Sequence, residues 1–129
     1  MVSVASWNNW LYDEKFVFDD VSDKSYWWTK YVCSAKKLWY ISSENSYFRP
    51  GYNITRAEAL KMIMSFKKID AKYDSKYTFT DTLESDWWTK YISTAWKMQI
   101  VAMDNSYFNP TSSITRKEVV KMIYNVFYK

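Results

Sequence analysis

Histidine is absent from the 129 residues, glycine and cysteine each occur once, and proline occurs twice. Without histidine the chain lacks the commonest general base and metal ligand, and it cannot form a Ser–His or Cys–His nucleophilic pair. No metal site or cofactor is expected, and only Lys, Glu or Tyr chemistry stays formally open. A lone Cys33 excludes an internal disulfide framework and reads as a small packing residue. No apolar run approaches the roughly 18 residues of a membrane span. The opening Met1–Ser6 lacks the basic stretch and long apolar core of a signal peptide, so an exported form would need a leader that has been trimmed or that lies on a longer parent. Charge of one sign is never concentrated: 18 Lys and Arg and 14 Asp and Glu are interspersed, for a net +4. That balance gives a mild preference for anionic partners. It makes a poor nucleic-acid footprint, because no basic-aromatic reading motif accompanies it.

Apolar and aromatic residues are abundant. At 48% apolar the chain can bury a core, and at 21% aromatic it has more rings than a core of this size needs. Some Trp and Tyr are therefore expected at the surface, where exposed rings mark a binding face.

The strongest signal is self-similarity. Shifted by 60 positions, Trp27–Ile63 aligns with Trp87–Ile123 without a gap, and 19 of the 37 pairs are identical. The shared blocks are Trp-Trp-Thr-Lys-Tyr from Trp27 and Trp87, Asn-Ser-Tyr-Phe-x-Pro from Asn45 and Asn105, Ile-Thr-Arg-x-Glu from Ile54 and Ile114, and Lys-Met-Ile from Lys61 and Lys121. Phe18-Asp19-Asp20 matches Phe79-Thr80-Asp81 at an offset of 61, which places an insertion or deletion in an intervening loop. A fixed period implies supersecondary units that bury their apolar faces against each other. The chain then divides into an N-terminal segment over 1–15, a repeat over 16–67, a polar connection over 68–76 and a second repeat over 77–129.

Within each repeat, Trp27, Tyr31, Ala35 and Leu38, or Trp87, Tyr91, Ala95 and Met98, recur at helical spacing and predict an amphipathic helix. An irregular loop ends near Pro50 or Pro110. A second helix then opens at Thr55 or Thr115, where Thr with Glu three residues later forms a capping box with Glu58 or Glu118. Behind it lie the stripes Ala59, Met62, Ile63, Phe66 and Val119, Met122, Ile123, Val126. The expected fold is all-α: tandem helix–loop–helix repeats packed as a pseudo-symmetric helical bundle.

The order Phe-x-Asp, Trp-x-x-x-Tyr, Tyr-Phe-x-Pro and Ile-Thr-Arg-x-Glu resembles the S-layer homology family over about 16–66 and 77–129. The resemblance implies a non-catalytic module of the bacterial cell surface. It would hold an exported protein to anionic, often pyruvylated, cell-wall polysaccharide or peptidoglycan-linked glycan. Three repeats are usual in that family, so the two here leave completion to self-association with another chain or to further repeats of a longer parent. The family pattern also has glycine near Trp39, where the first helix ends, and small residues at Trp28 and Trp88. Average usage of about 7% glycine would give roughly nine in this length. A genetic code in which UGA specifies glycine would account for the shortage and for Trp28, Trp39, Trp88 and Trp96. Intact mass of the native protein tests this, and four genuine tryptophans would end it.

Arg56 and Arg116 stand at the first position of a helix, where the macrodipole disfavours a cation by roughly 0.3–1 kcal/mol. A guanidinium beside free helix amides is suited to grip a carboxylate, and with the resemblance this makes both arginines candidate glycan contacts. The alternative pairs them with acids such as Asp20 or Asp81. Substituting both is expected to abolish binding while the fold survives. Trp27 and Trp87 are candidate sugar platforms, although their spacing favours core packing, and Tyr47 and Tyr107 are candidate sugar contacts. Phe48 and Phe108 read as pins that hold the loop to the core. Thr55, Glu58, Thr115 and Glu118 are helix caps that also orient the arginines. A two-carboxylate hydrolase is disfavoured because Glu58 and Glu118 are explained by capping. The nearer rival to glycan anchoring is a protein–protein assembly module of a surface layer.

Overall fold

The computed structural model describes residues 11–41, 44–101 and 106–128. Most of the 1–15 segment, and the Asn105 that begins the second loop block, lie outside them. Four α-helices occur among the described residues: α1 Thr29–Lys37, α2 Arg56–Phe66, α3 Thr89–Lys97 and α4 Arg116–Tyr128, preceded by a 3-10 turn at Glu14–Phe16. Each repeat is therefore helix, loop, helix. The only pairings of extended backbone among those residues are isolated bridges, Phe18 with Val21 and Thr55 with Ser113. Among the described residues no helix is long and apolar enough to cross a membrane.

Packing divides the chain differently from the sequence repeat. One compact unit ends at Tyr52 and the other begins at Asn53, so α2 folds with the second repeat. The reason lies at the start of α2, whose first amides have no partner within the helix. Arg56 N donates to Ser112 O at 2.9 Å and Ala57 N to Pro110 O at 3.0 Å, while Ile114 N donates back to Ile54 O at 3.2 Å. The 68–76 connection is held along the second unit. Ile69 and Ala71 pack against the core. Lys72 N donates to Thr94 Oγ1 at 2.8 Å, and that hydroxyl donates to Lys72 O at 3.1 Å.

The core of the second unit gathers Leu60, Met64, Phe79, Ile92, Ile100, Phe108 and Met122. In the first unit Phe18, Val21 and Val32 are joined by Trp28, Ile41 and Phe48. The Phe pins hold as expected: Phe48 lies 5.6 Å from Phe18, and Phe108 lies 5.6 Å from Phe79, ring to ring.

The buried face of the first helix matches the stripe that its spacing indicated only in part: Ala95 is buried and Tyr91 packs against the core, while the large residues at the stripe's ends face outward. In α1 the buried residues are Thr29, Val32, Cys33 and Ser34, and in α3 they are Thr89, Ile92, Ser93 and Ala95. Trp27, Tyr31, Leu38, Trp87 and Met98 are exposed. These helices lie against loop backbone whose carbonyls need donors, so small hydroxyl residues face inward. Thr29 Oγ1 donates to Asp23 O at 2.7 Å, and Thr89 Oγ1 donates to Leu83 O. The second-helix stripes hold in part. Ala57, Ala59, Leu60 and Met64 are buried in α2, and Met122, Asn125 and Val126 in α4, where Ile123 is exposed.

The Phe-x-Asp block acts as a loop clamp. Asp20 accepts from Phe48 N at 2.8 Å and Arg49 N at 2.7 Å; Asp81 accepts from Phe108 N at 2.9 Å and Asn109 N at 2.8 Å. Slight desolvation pulls the Asp20 carboxyl upward. The amides of Phe48, Arg49 and Asp20 itself, with the Arg49 charge, outweigh it and hold the group below its ordinary range. A lowered folded-state pKa means this stabilisation is complete above the unfolded value of 3.8 and is lost as pH falls through the folded one. Asp20→Asn should therefore cost about 1 kcal/mol at neutral pH and flatten the acid limb of the melting profile. An unchanged acid limb would contradict the clamp.

Helix ends explain where glycine is missed. Trp39, Lys68 and Gln99 have φ of 65°, 60° and 61°. Each follows a helix in a Schellman closure: Tyr40 N donates to Ala35 O, Ile69 N to Met64 O and Ile100 N to Ala95 O. A side chain in this left-handed region costs roughly 1–2 kcal/mol, against the 0.5–1 kcal/mol that glycine loses in chain entropy. Trp39→Gly and Gln99→Gly should each raise stability by about 0.5–1 kcal/mol in urea unfolding; a loss in both would refute the strain. Of the four tryptophans singled out, only Trp39 takes this conformation. Trp28 and Trp88 are right-handed, and Trp96 lies within α3 against Tyr77 and Phe79. Trp88 Nε1 is nevertheless buried without a hydrogen-bond partner.

Candidate functional site

The capping boxes place the two arginines in unlike surroundings. At α2, Glu58 N donates to Thr55 Oγ1 at 3.1 Å and Thr55 N to Glu58 Oε1 at 2.9 Å. At α4, Thr115 N and Thr115 Oγ1 donate to Glu118 Oε1 at 3.3 and 2.7 Å. The other oxygen of Glu118 pairs with Arg56. Arg56 Nε also donates to Phe108 O at 2.9 Å, and its guanidinium lies 4.7 Å from the centre of the Phe108 ring. Arg56 is thus a clamp between the starts of α2 and α4, with its side chain only 20% exposed. Arg116 is exposed and has no ion pair among the described residues. Neither arginine pairs with Asp20 or Asp81, which are committed to loop amides.

Two clefts lie in the second unit. The first, about 420 Å³, sits in front of the clamp and is lined by Arg56, Tyr107, Asn109, Ser112, Glu118 and Lys121 among others. The second, about 430 Å³, lies where α2 meets α3 and is lined by Lys61, Tyr73, Glu84, Asp86, Trp87, Lys90 and Tyr91. In it the half-exposed Trp87 ring stands at 72° to that of Tyr91. Lys61 Nζ lies 5.2 Å above the centre of Trp87, and Lys90 Nζ 5.3 Å above that of Tyr91. Neither ammonium has a carboxylate within ion-pair distance among the described residues. The cleft therefore offers apolar ring faces, two unpaired cations and two carboxylates able to accept from hydroxyls.

Of the residues expected from sequence, the first cleft unites Arg56, Tyr107 and Glu118, and the second holds Trp87. Arg116 and Thr115 line neither. Trp27 and Tyr47, in the first unit, are exposed. The lysines of the second cleft were missed although their signal was present, since Lys61 and Lys90 recur at Lys121 and Lys30 within the shared blocks.

The fold defines a tandem helical repeat module with two open clefts in its second unit. The chain belongs to the S-layer homology domain family, whose model matches residues 17–60 and 78–120. Such domains are generally non-catalytic wall-anchoring modules. The chain is similar to an exoglucanase XynX of Acetivibrio thermocellus, 27% identical over 85% of this chain and 10% of the relative. It is also similar to an amylopullulanase of Thermoanaerobacterium thermosulfurigenes, at 29% over 85% of this chain and 6% of the relative. A third relative is the S-layer protein sap of Bacillus anthracis, 25% identical over 66% of this chain and 10% of that protein. The chain spans a tenth or less of the length of these relatives, one a surface-layer protein and two polysaccharide-acting enzymes.

Proposed function

We propose that the chain is a non-catalytic anchor that works at the bacterial cell surface by binding anionic wall polysaccharide, with carboxylate-bearing sugars such as pyruvylated residues as ligand. The carrying observation is the second cleft, where the Trp87 and Tyr91 rings and the ammonium groups of Lys61 and Lys90 converge. A sugar face stacks on the indole, a carboxylate displaces the weak cation–ring contacts to pair with both lysines, and Glu84 and Asp86 accept from hydroxyls. The exposed Arg116, Trp27 and Tyr47 are further contacts for a long polymer. Arg56 serves by positioning the first cleft.

Calorimetric titration with purified wall polysaccharide, before and after removal of its acidic substituents, tests the reading. Trp87→Ala and Lys61→Gln/Lys90→Gln should each weaken binding about tenfold or more, equivalent to a loss of about 1.4 kcal/mol, and so should removal of the acidic groups. Unchanged affinity in all three arms, or release of reducing ends by the protein, would overturn it.

A further inference from the structure

The repeat allows each surface of the second half to be compared with its counterpart in the first. On α2, Leu60 and Met64 are fully buried, covered by the repeat that follows. Their counterparts on α4, Val120 and Tyr124, are 66% and 60% exposed, and Ile123, which matches the core-packed Ile63, is exposed as well. The Tyr124 ring stacks on the exposed Tyr128 at 5.5 Å, extending the patch. An end unit that closed a repeat array would carry a polar outer face, and α4 carries an apolar one. The converse holds for α1. On α3, beside α2, Tyr91 is half-buried and Ala95 fully buried; on α1 the counterpart Tyr31 is exposed and Ala35 only half-buried. Trp27, at 73%, is more exposed than Trp87, at 45%.

Each of these faces is therefore one half of an interface whose complete form exists inside the molecule, between α2 and α3. We propose that the outer face of α4 docks on the Trp27–Tyr31 face of α1 of a second copy of this chain, in the manner of α2 on α3. Lys121 then stands over Trp27 as Lys61 stands over Trp87. The contact is head-to-tail, so it closes into a dimer or ring or extends into a chain according to its rotation. The inference concerns protein contacts and does not depend on the glycan reading.

Sedimentation equilibrium of the 129-residue chain without glycan tests it, with circular dichroism confirming that each variant is folded. The parent should exceed monomer mass as concentration rises. Trp27→Glu alone and Val120→Glu/Tyr124→Glu alone should stay monomeric. Mixed in equal amounts, the two variants should form a one-to-one dimer, because one intact face remains on each. A monomeric parent, association that survives both variants, or a mixture that stays monomeric would overturn the proposal.

Discussion

Leu60→Ala should destabilise the protein by about 3 kcal/mol, whereas Val120→Ala, 60 positions later, should change stability by less than about 0.5 kcal/mol. Leu60 is fully buried among the residues of α3 and α4. Truncation there removes three heavy atoms from a packed environment that collapses only in part, so lost transfer energy and a residual cavity add. Val120 is 66% exposed and loses little. Urea unfolding of the two variants reads the difference directly. Equal effects would mean that the repeats are energetically equivalent units, against the packing described above.

Arg56→Ala should cost about 3 kcal/mol and Arg116→Ala less than about 0.5 kcal/mol. The Arg56 variant loses the pair with Glu118, the hydrogen bond to Phe108 O and the contact with the Phe108 ring, and it leaves Glu118 partly buried without its cation. Exposed ion pairs contribute little; this one is partly buried, with its guanidinium held at three points. Arg116 makes none of these contacts. Glu118→Gln separates charge from capping: the amide oxygen can still cap α4, so the loss should fall below that of Arg56→Ala. Thermal melts of the three variants check the order, and equal melting temperatures for Arg56→Ala and Arg116→Ala would refute the clamp. The double arginine variant is accordingly a poor test of glycan binding, since half of it acts on the fold. Arg116→Ala alone probes the ligand role cleanly.

Much of this was legible beforehand. The Thr-x-x-Glu spacing located both second helices and their caps, because capping depends on residues three apart and on nothing distant. The Phe-x-Pro blocks identified the loop pins, since a ring followed by a proline restricts the chain locally. The stripe of the first helix misled at Trp27, Tyr31, Leu38, Trp87 and Met98, though not at Ala95, because periodicity reports that a helix has two faces without saying which face meets the core. Thr29 and Thr89 point inward because loop carbonyls of Asp23 and Leu83 lie there, and no pattern within the helix encodes that. The second cleft was half legible: Trp87 stood out as a large ring, while Lys61 and Lys90 looked like ordinary solvated charge until α2 and α3 brought them to one rim.

The sequence by itself determined the two-fold internal repeat, the helix–loop–helix content, the caps and the family, since all of these are written in residue spacings of a few positions or in direct self-comparison. Only the tertiary structure decided that α2 folds with the repeat that follows it, that identical Arg positions carry a clamp in one copy and an exposed cation in the other, and which apolar faces are left uncovered. Burial and charge pairing depend on which neighbour is present, and two similar stretches of chain have different neighbours.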